Sequence, residues 1–111
     1  MKEGDLVLAA IPQVDGSFKT RPALVLRELP PFGDMLICGI STQLRHEVIG
    51  FDELISIGDP DFAQSGLRQS SLIRLAFLDV LHSSMVIGKI GTVSPALRLR
   101  LLHNLADHLL G

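Results

Sequence analysis

Met85-Val86-Ile87-Gly88-Lys89-Ile90-Gly91-Thr92-Val93 runs straight into Ser94-Pro95, after which Leu97, Leu101, Leu105 and Leu109 recur every four residues. The first nine residues have the composition of a strand, and their two glycines mark a bulge or a sharp bend. Ser94 is a good helix N-cap and Pro95 a good first helical residue. The leucines, with Leu102, Ala106 and Leu110 alongside, form the apolar stripe of an amphipathic helix. A strand that passes directly into one terminal helix therefore ends the chain.

Reading outward from that junction, Ser71-Leu72-Ile73-Arg74-Leu75 is a partly alternating strand that Phe77–Leu81 continues or bends away from. Phe51 to Gly66, centred on Gly58-Asp59-Pro60-Asp61, has the composition of a loop with at most one helical turn. Glu47-Val48-Ile49 is a candidate short fourth strand. Met35 to Ile40 forms a third, running into Ser41-Thr42-Gln43. Arg21-Pro22-Ala23-Leu24-Val25-Leu26 is the second, with Pro22 near its start or on an edge because proline cannot donate to a ladder. Leu6–Ile11 is a buried first strand. Asp15-Gly16 signals a turn within the connection Pro12–Thr20, and Leu29–Asp34 is a second break. Short strands between turn signals, with one terminal helix, predict a mainly β fold: a small barrel packed under the helix.

With 111 residues, 47% of them apolar, the chain is one domain, 1–111, able to build a core without disulfides. The single cysteine, Cys38, sits in the apolar run Met35-Leu36-Ile37-Cys38. It reads as a small buried hydrophobe and suits a reducing compartment. The N-terminus Met1-Lys2-Glu3-Gly4-Asp5 has two acids and no long apolar core, so it is not a signal peptide. No stretch approaches the roughly 20 apolar residues of a membrane span. A soluble, cytoplasmic protein without membrane contact is expected. Four scattered histidines and one cysteine make no zinc set, and no phosphate-cradling glycine loop or dinucleotide fingerprint is present, so no metal and no cofactor is expected. A net charge of −2 does not announce nucleic acid, although a local basic cleft can sit on a neutral protein. The chain has no Trp and no Tyr. That leaves five Phe with His and Arg for any stacking, and argues against an aromatic-lined peptide groove.

Several segments, in order, resemble the MazF/PemK toxin family: Gly4-Asp5-Leu6-Val7, Arg21-Pro22-Ala23-Leu24-Val25-Leu26 and Ile40-Ser41-Thr42-Gln43. Gly66-Leu67-Arg68 with Ser71-Leu72-Ile73-Arg74-Leu75 resembles one branch of it, and Gly88-Lys89-Ile90-Gly91-Thr92-Val93-Ser94-Pro95 resembles its last strand and helix entry. The resemblance implies an SH3-like barrel with a C-terminal helix and a homodimer. It also implies metal-independent cleavage of single-stranded RNA and a cognate antitoxin that covers the RNA groove. By motif position it assigns the chemistry to Arg21 and Ser41, with Thr42 as the neighbour that could substitute. The family often carries Gly-Ser-Glu-Gln before the arginine. Here the segment reads Gly16-Ser17-Phe18-Lys19-Thr20-Arg21, which is shorter and lacks the acid.

The residue types fit that chemistry. In metal-free RNA cleavage the 2′-OH attacks the adjacent phosphorus, and the protein stabilises charge and helps protons move. A guanidinium meets two phosphate oxygens at once, and with a pKa above about 12 Arg21 suits electrostatic stabilisation first. The alternative is a surface arginine paired with a loop acid such as Asp15. Successive strand residues face opposite ways, so only one of Ser41 and Thr42 can share a face with the site; the other reading of both is a polar pair that caps the turn. Lys19 is a candidate second phosphate contact. Gln43 is a candidate base reader, Arg45 a phosphate contact and His46 a proton carrier, each alternatively a solvated loop residue. Asp5 reads as a turn support.

Three rival functions frame the site. A CcdB-like poison that binds a protein would need an aromatic tip, but this chain ends Asp107-His108-Leu109-Leu110-Gly111. A non-catalytic family member would bind RNA or an antitoxin only. A plain SH3-like module would need aromatic residues that are missing.

Overall fold

The computed structural model describes residues 2–111. Six strands form one antiparallel sheet: β1 (Asp5–Pro12), β2 (Phe18–Leu29), β3 (Asp34–Ser41), β4 (Glu53–Ile55), β5 (Ser71–Leu81) and β6 (Val86–Thr92). Their order is β4-β5-β3-β2-β1-β6. A short helix, α1 (Pro60–Ser65), precedes β5, and the long helix α2 (Pro95–Leu110) ends the chain. The sheet curls into a barrel-like form that is not closed, with β4 and β6 as its edges.

Alternation along the strands sorts the apolar residues onto two faces. Leu6, Leu24, Leu26, Cys38, Ile73 and Leu75 pack with Leu97, Leu101 and Leu105 of α2. Val7, Ala9, Ile11, Ala23, Val25, Ile37 and Leu81 form a second cluster on the other face, with Met85 and Val86 against it. Helix α2 starts where the cap residues place it, the Ser94 hydroxyl accepting from Leu97 N at 3.2 Å. Such a cap contributes about 1 kcal/mol. Asp61 of α1 in turn accepts from Ser94 N at 2.7 Å, tying the two helices together. The buried stripe ends at Leu105; Leu109 and Leu110 are exposed, because the last turn of α2 outruns the core. Cys38 is fully buried, and burial pushes its thiol far above the ordinary range, so it stays a protonated hydrophobe.

Three expectations are corrected. The fourth strand is Glu53–Ile55, pairing with β5, and Glu47–Ile49 is not a strand: Val48 and Ile49 are exposed. The Phe51–Gly66 segment thus holds a strand as well as α1. Its helix packs on β6, where a Cβ at Gly91 would lie 2.2 Å from Ser65 O, so only glycine allows the approach. The connection after β1 is also shorter than Pro12–Thr20. A hairpin over Gln13–Ser17 closes with Gln13 N donating to Ser17 O at 2.7 Å, and Gly16 takes the left-handed φ of +86°. Arg21 therefore lies inside β2 rather than at its head. The two glycines of the last strand do mark irregularity, with register shifts against β1 on either side of Val7 and Leu8.

Candidate active site

The site forms where β2 and β3 part. β1 pairs with β2 from Phe18 to Leu24, but β3 pairs with β2 only from Ala23 to Leu29. Pro22, which has no N–H, stands at the point where the β3 ladder stops. Beyond it, the end of β3 pairs with β5 instead, Ser41 opposite Leu72. The gap is a cleft of about 240 Å³ lined by Ile11, Gln13, Arg21, Pro22, Gly39, Ile40, Ser41, Arg74 and Phe77.

Strand parity delivers the polar groups to it. Arg21 shares a face with Ala23 and Val25, and Ser41 with Ile37 and Gly39. Ala23 is opposite Gly39, and Gly39 opposite Arg74, so all three strands contribute to one face. That face lies opposite the one covered by α2. Arg21 makes no ion pair with Asp15; the Asp15 carboxylate is engaged by Ser17 N and Oγ at 2.9 and 2.6 Å, which hold it below its ordinary pKa. Among the described residues neither Arg21 nor Arg74 has a carboxylate within 4.0 Å. Arg74 Nε is buried without a hydrogen-bond partner. The Ser41 hydroxyl accepts from Gln43 N at 3.0 Å, which leaves its own proton free to donate. Among the described residues no acidic side chain and no histidine lines the cleft.

The position of Arg74 depends on a bulge. Between the pairs Cys38–Leu78 and Gly39–Arg74, the residues Leu75, Ala76 and Phe77 of β5 have no partner on β3. Leu75 N is satisfied instead by Asp52 Oδ1 at 3.0 Å, while Asp52 Oδ2 accepts from Val48 N at 2.9 Å. Asp52 is 5% exposed. Losing its carboxylate would orphan two N–H groups at about 1–3 kcal/mol each. The bulge turns the strand so that Arg74 and Phe77 both face the cleft.

Of the expected site residues, Arg21 and Ser41 line the cleft and Thr42 does not. Lys19 is exposed on the Arg21 face of β2, one alternation further out. Gln43, Arg45 and His46 are exposed on and beside the single-turn 3₁₀ helix Leu44–His46, where the Gln43 amide oxygen accepts from Arg45 Nη1. They lie outside the cleft. Asp5 does support a turn, accepting from Lys2 N at 2.8 Å. Gln13, Arg74 and Phe77 were not singled out from the sequence. The signal for Arg74 was a lone cation alternating with Ile73 and Leu75, and only the pairing register shows what it faces.

The fold is a barrel-like antiparallel sheet with a C-terminal helix. It matches the structure of the Mycobacterium tuberculosis toxin MazF-mt6 with a TM-score of 0.68, over 95% of this chain and 95% of that one, at 20% identity. Residues 2–109 match the family described as PemK-like, MazF-like toxin of type II toxin-antitoxin system. The chain belongs to that family. No curated protein gives a significant match. Among the described residues no helix is long and apolar enough to cross a membrane.

Proposed function

We propose that this toxin is an endoribonuclease that cuts single-stranded RNA in the cleft between β2 and β3. The observation that carries this reading is the meeting of two guanidiniums and a hydroxyl in a cleft without acids. A chain of net charge −2 concentrates unopposed positive charge at one place, which suits a phosphodiester. Family membership supports the same substrate class.

In the proposed reaction the RNA 2′-oxygen forms a bond to phosphorus and the bond to the 5′-oxygen breaks. The products are a 2′,3′-cyclic phosphate and a 5′-OH. Arg21 and Arg74 hold the nonbridging oxygens as negative charge builds on the phosphorane. The Ser41 hydroxyl donates to one of those oxygens, and Thr42 is left without a direct role. Water takes the 2′ proton and returns one to the leaving oxygen, since His46 is outside the cleft. Lys19, Gln43, Arg45 and His46 then serve the flanking RNA rather than the reacting phosphate. We assign the toxin to the cytoplasm as a homodimer, inhibited by an antitoxin that fills the cleft.

The test is incubation with long single-stranded RNA in EDTA beside an Arg21→Ala variant. Wild type gives fragments ending in 2′,3′-cyclic phosphate, and Arg21→Ala loses about 10²–10³-fold in rate with an unchanged melting temperature. Intact RNA from the folded wild type would replace this reading with that of a binding-only toxin.

A further inference from the structure

Phe77 stands in the cleft for a reason the phosphate chemistry does not require. Its ring lies directly over Gly39 of β3, where a Cβ would come within 2.9 Å of Phe77 Cδ1, 3.0 Å of Cγ and 3.2 Å of Cβ. Any other residue at 39 would push the ring away, so the glycine leaves the space that the ring occupies. The ring is not consumed by the core: the residue remains 38% exposed and lines the cleft beside Arg21, Ser41 and Arg74. Phe18 and Phe32 are more exposed, at 59% and 84%, but neither borders the cleft.

A flat apolar face beside cationic groups matches the layout of a nucleotide, with a planar base next to an anionic phosphate. Base–aromatic stacking tolerates any base because every base has a π-face, and its strength rises with ring area. The cleft volume of about 240 Å³ falls just below the roughly 300–1,000 Å³ of small-molecule pockets. That suits one nucleotide rather than a run of bases.

We propose that Phe77, seated on Gly39, is a stacking platform for one unpaired nucleobase next to the phosphate held by Arg21 and Arg74, with purines held better than pyrimidines. This rests on the reading that the cleft takes RNA, but not on the cleft being catalytic.

The test uses single-stranded oligonucleotides with 2′-O-methyl sugars, which cannot be cut, carrying 2-aminopurine moved through each position in turn. The protein has no Trp and no Tyr, so it adds little emission of its own. Wild type is expected to quench the probe most strongly at one position. Phe77→Leu keeps an apolar side chain and should keep the wild-type melting temperature. It should lose that quench and bind about 5- to 100-fold more weakly. Gly39→Ala, which displaces the ring without removing it, should lose the quench too. An abasic site at the same position should bring wild type and Phe77→Leu to equal affinity. An unchanged quench in Phe77→Leu, or an abasic penalty of the same size in both proteins, would overturn the platform, as would tight binding of an acidic antitoxin-like peptide with no binding of these oligonucleotides. Cleavage of unmodified RNA, assayed separately, reports on the nuclease reading. Quenching without cleavage would support the platform and sink the nuclease.

Discussion

The two ends of β2 meet different fates. From Val25 to Leu29 the strand pairs with β3, and its other edge is covered. Gly4 N donates to Val25 O at 2.8 Å, Glu3 Oε2 accepts from Glu28 N at 3.1 Å, and Arg98 Nη1 donates to Leu26 O at 3.2 Å. From Phe18 to Pro22 the strand pairs with β1, and the edge toward β3 is left open. Open edges invite unwanted pairing, and proteins usually cover or charge them. Here one half is covered by the N-terminal segment and α2, and the other carries Lys19, Arg21 and a proline. The uncovered half is where the cleft lies. The contrast teaches that the site is a place where the sheet stops pairing, and that its cations face outward because nothing lies across them.

Four substitutions would break or sharpen that contrast. The largest effect after Arg21 is expected from Arg74→Ala, a loss of about 10- to 100-fold in RNA cleavage. Its salt dependence of binding should fall by about 0.7 in log–log slope for the lost phosphate contact. The melting temperature should not drop, because the buried Nε has no partner to lose. Cleavage within twofold of wild type would remove Arg74 from the site. Next come the two hydroxyls. Ser41→Ala should cost about tenfold in rate, the scale of one hydrogen bond to a charged group, and Thr42→Ala less than about twofold. The reverse ranking would show that β3 meets the substrate in another register.

The smallest effect belongs to the covered half. The Glu3 carboxyl is held below its ordinary value of 4.5, chiefly by the hydrogen bond from Glu28 N and then by the nearby Arg27 and Arg98. A carboxyl with a depressed folded pKa adds stability above its unfolded pKa, and that stability fades as pH falls through the folded value. Glu3→Gln should therefore be less stable at neutral pH by about 0.5–1 kcal/mol, the scale of a solvent-screened ion pair. The gap should close on acidification below 4.5, with cleavage at neutral pH unaffected. A gap that persists in acid would show that Glu3 acts through packing.

Much of this was legible in the sequence. The Ser94-Pro95 entry and the Leu97, Leu101 and Leu105 stripe gave the terminal helix, because capping and periodicity are local. Cys38 and the first three strands followed from apolar runs. Glu53–Ile55 was hidden because three residues of mixed polarity become a strand only by pairing with β5. Val48 and Ile49 misled because apolar residues can be left on the surface. Within the site, Arg21 and Ser41 came from the family resemblance, not from a local pattern; both sit on strands whose alternation carries them to the cleft face. Arg74 and Phe77 depend on a bulge held by Asp52, a residue 23 positions from the N–H it accepts, and no local pattern encodes that.

Asp52 also bears on design. A cleft like this one cannot be moved to another scaffold by grafting Arg21, Ser41 and Arg74 onto three neighbouring strands. Without a buried carboxylate donated from a separate loop, the recipient strand would have no reason to hold its three-residue excursion. The arginine and the phenylalanine would then drift back into ordinary alternation, one facing in and the other facing out. The portable unit is the cleft residues, Phe77 included, together with the acid that holds the bulge under Arg74 and Phe77.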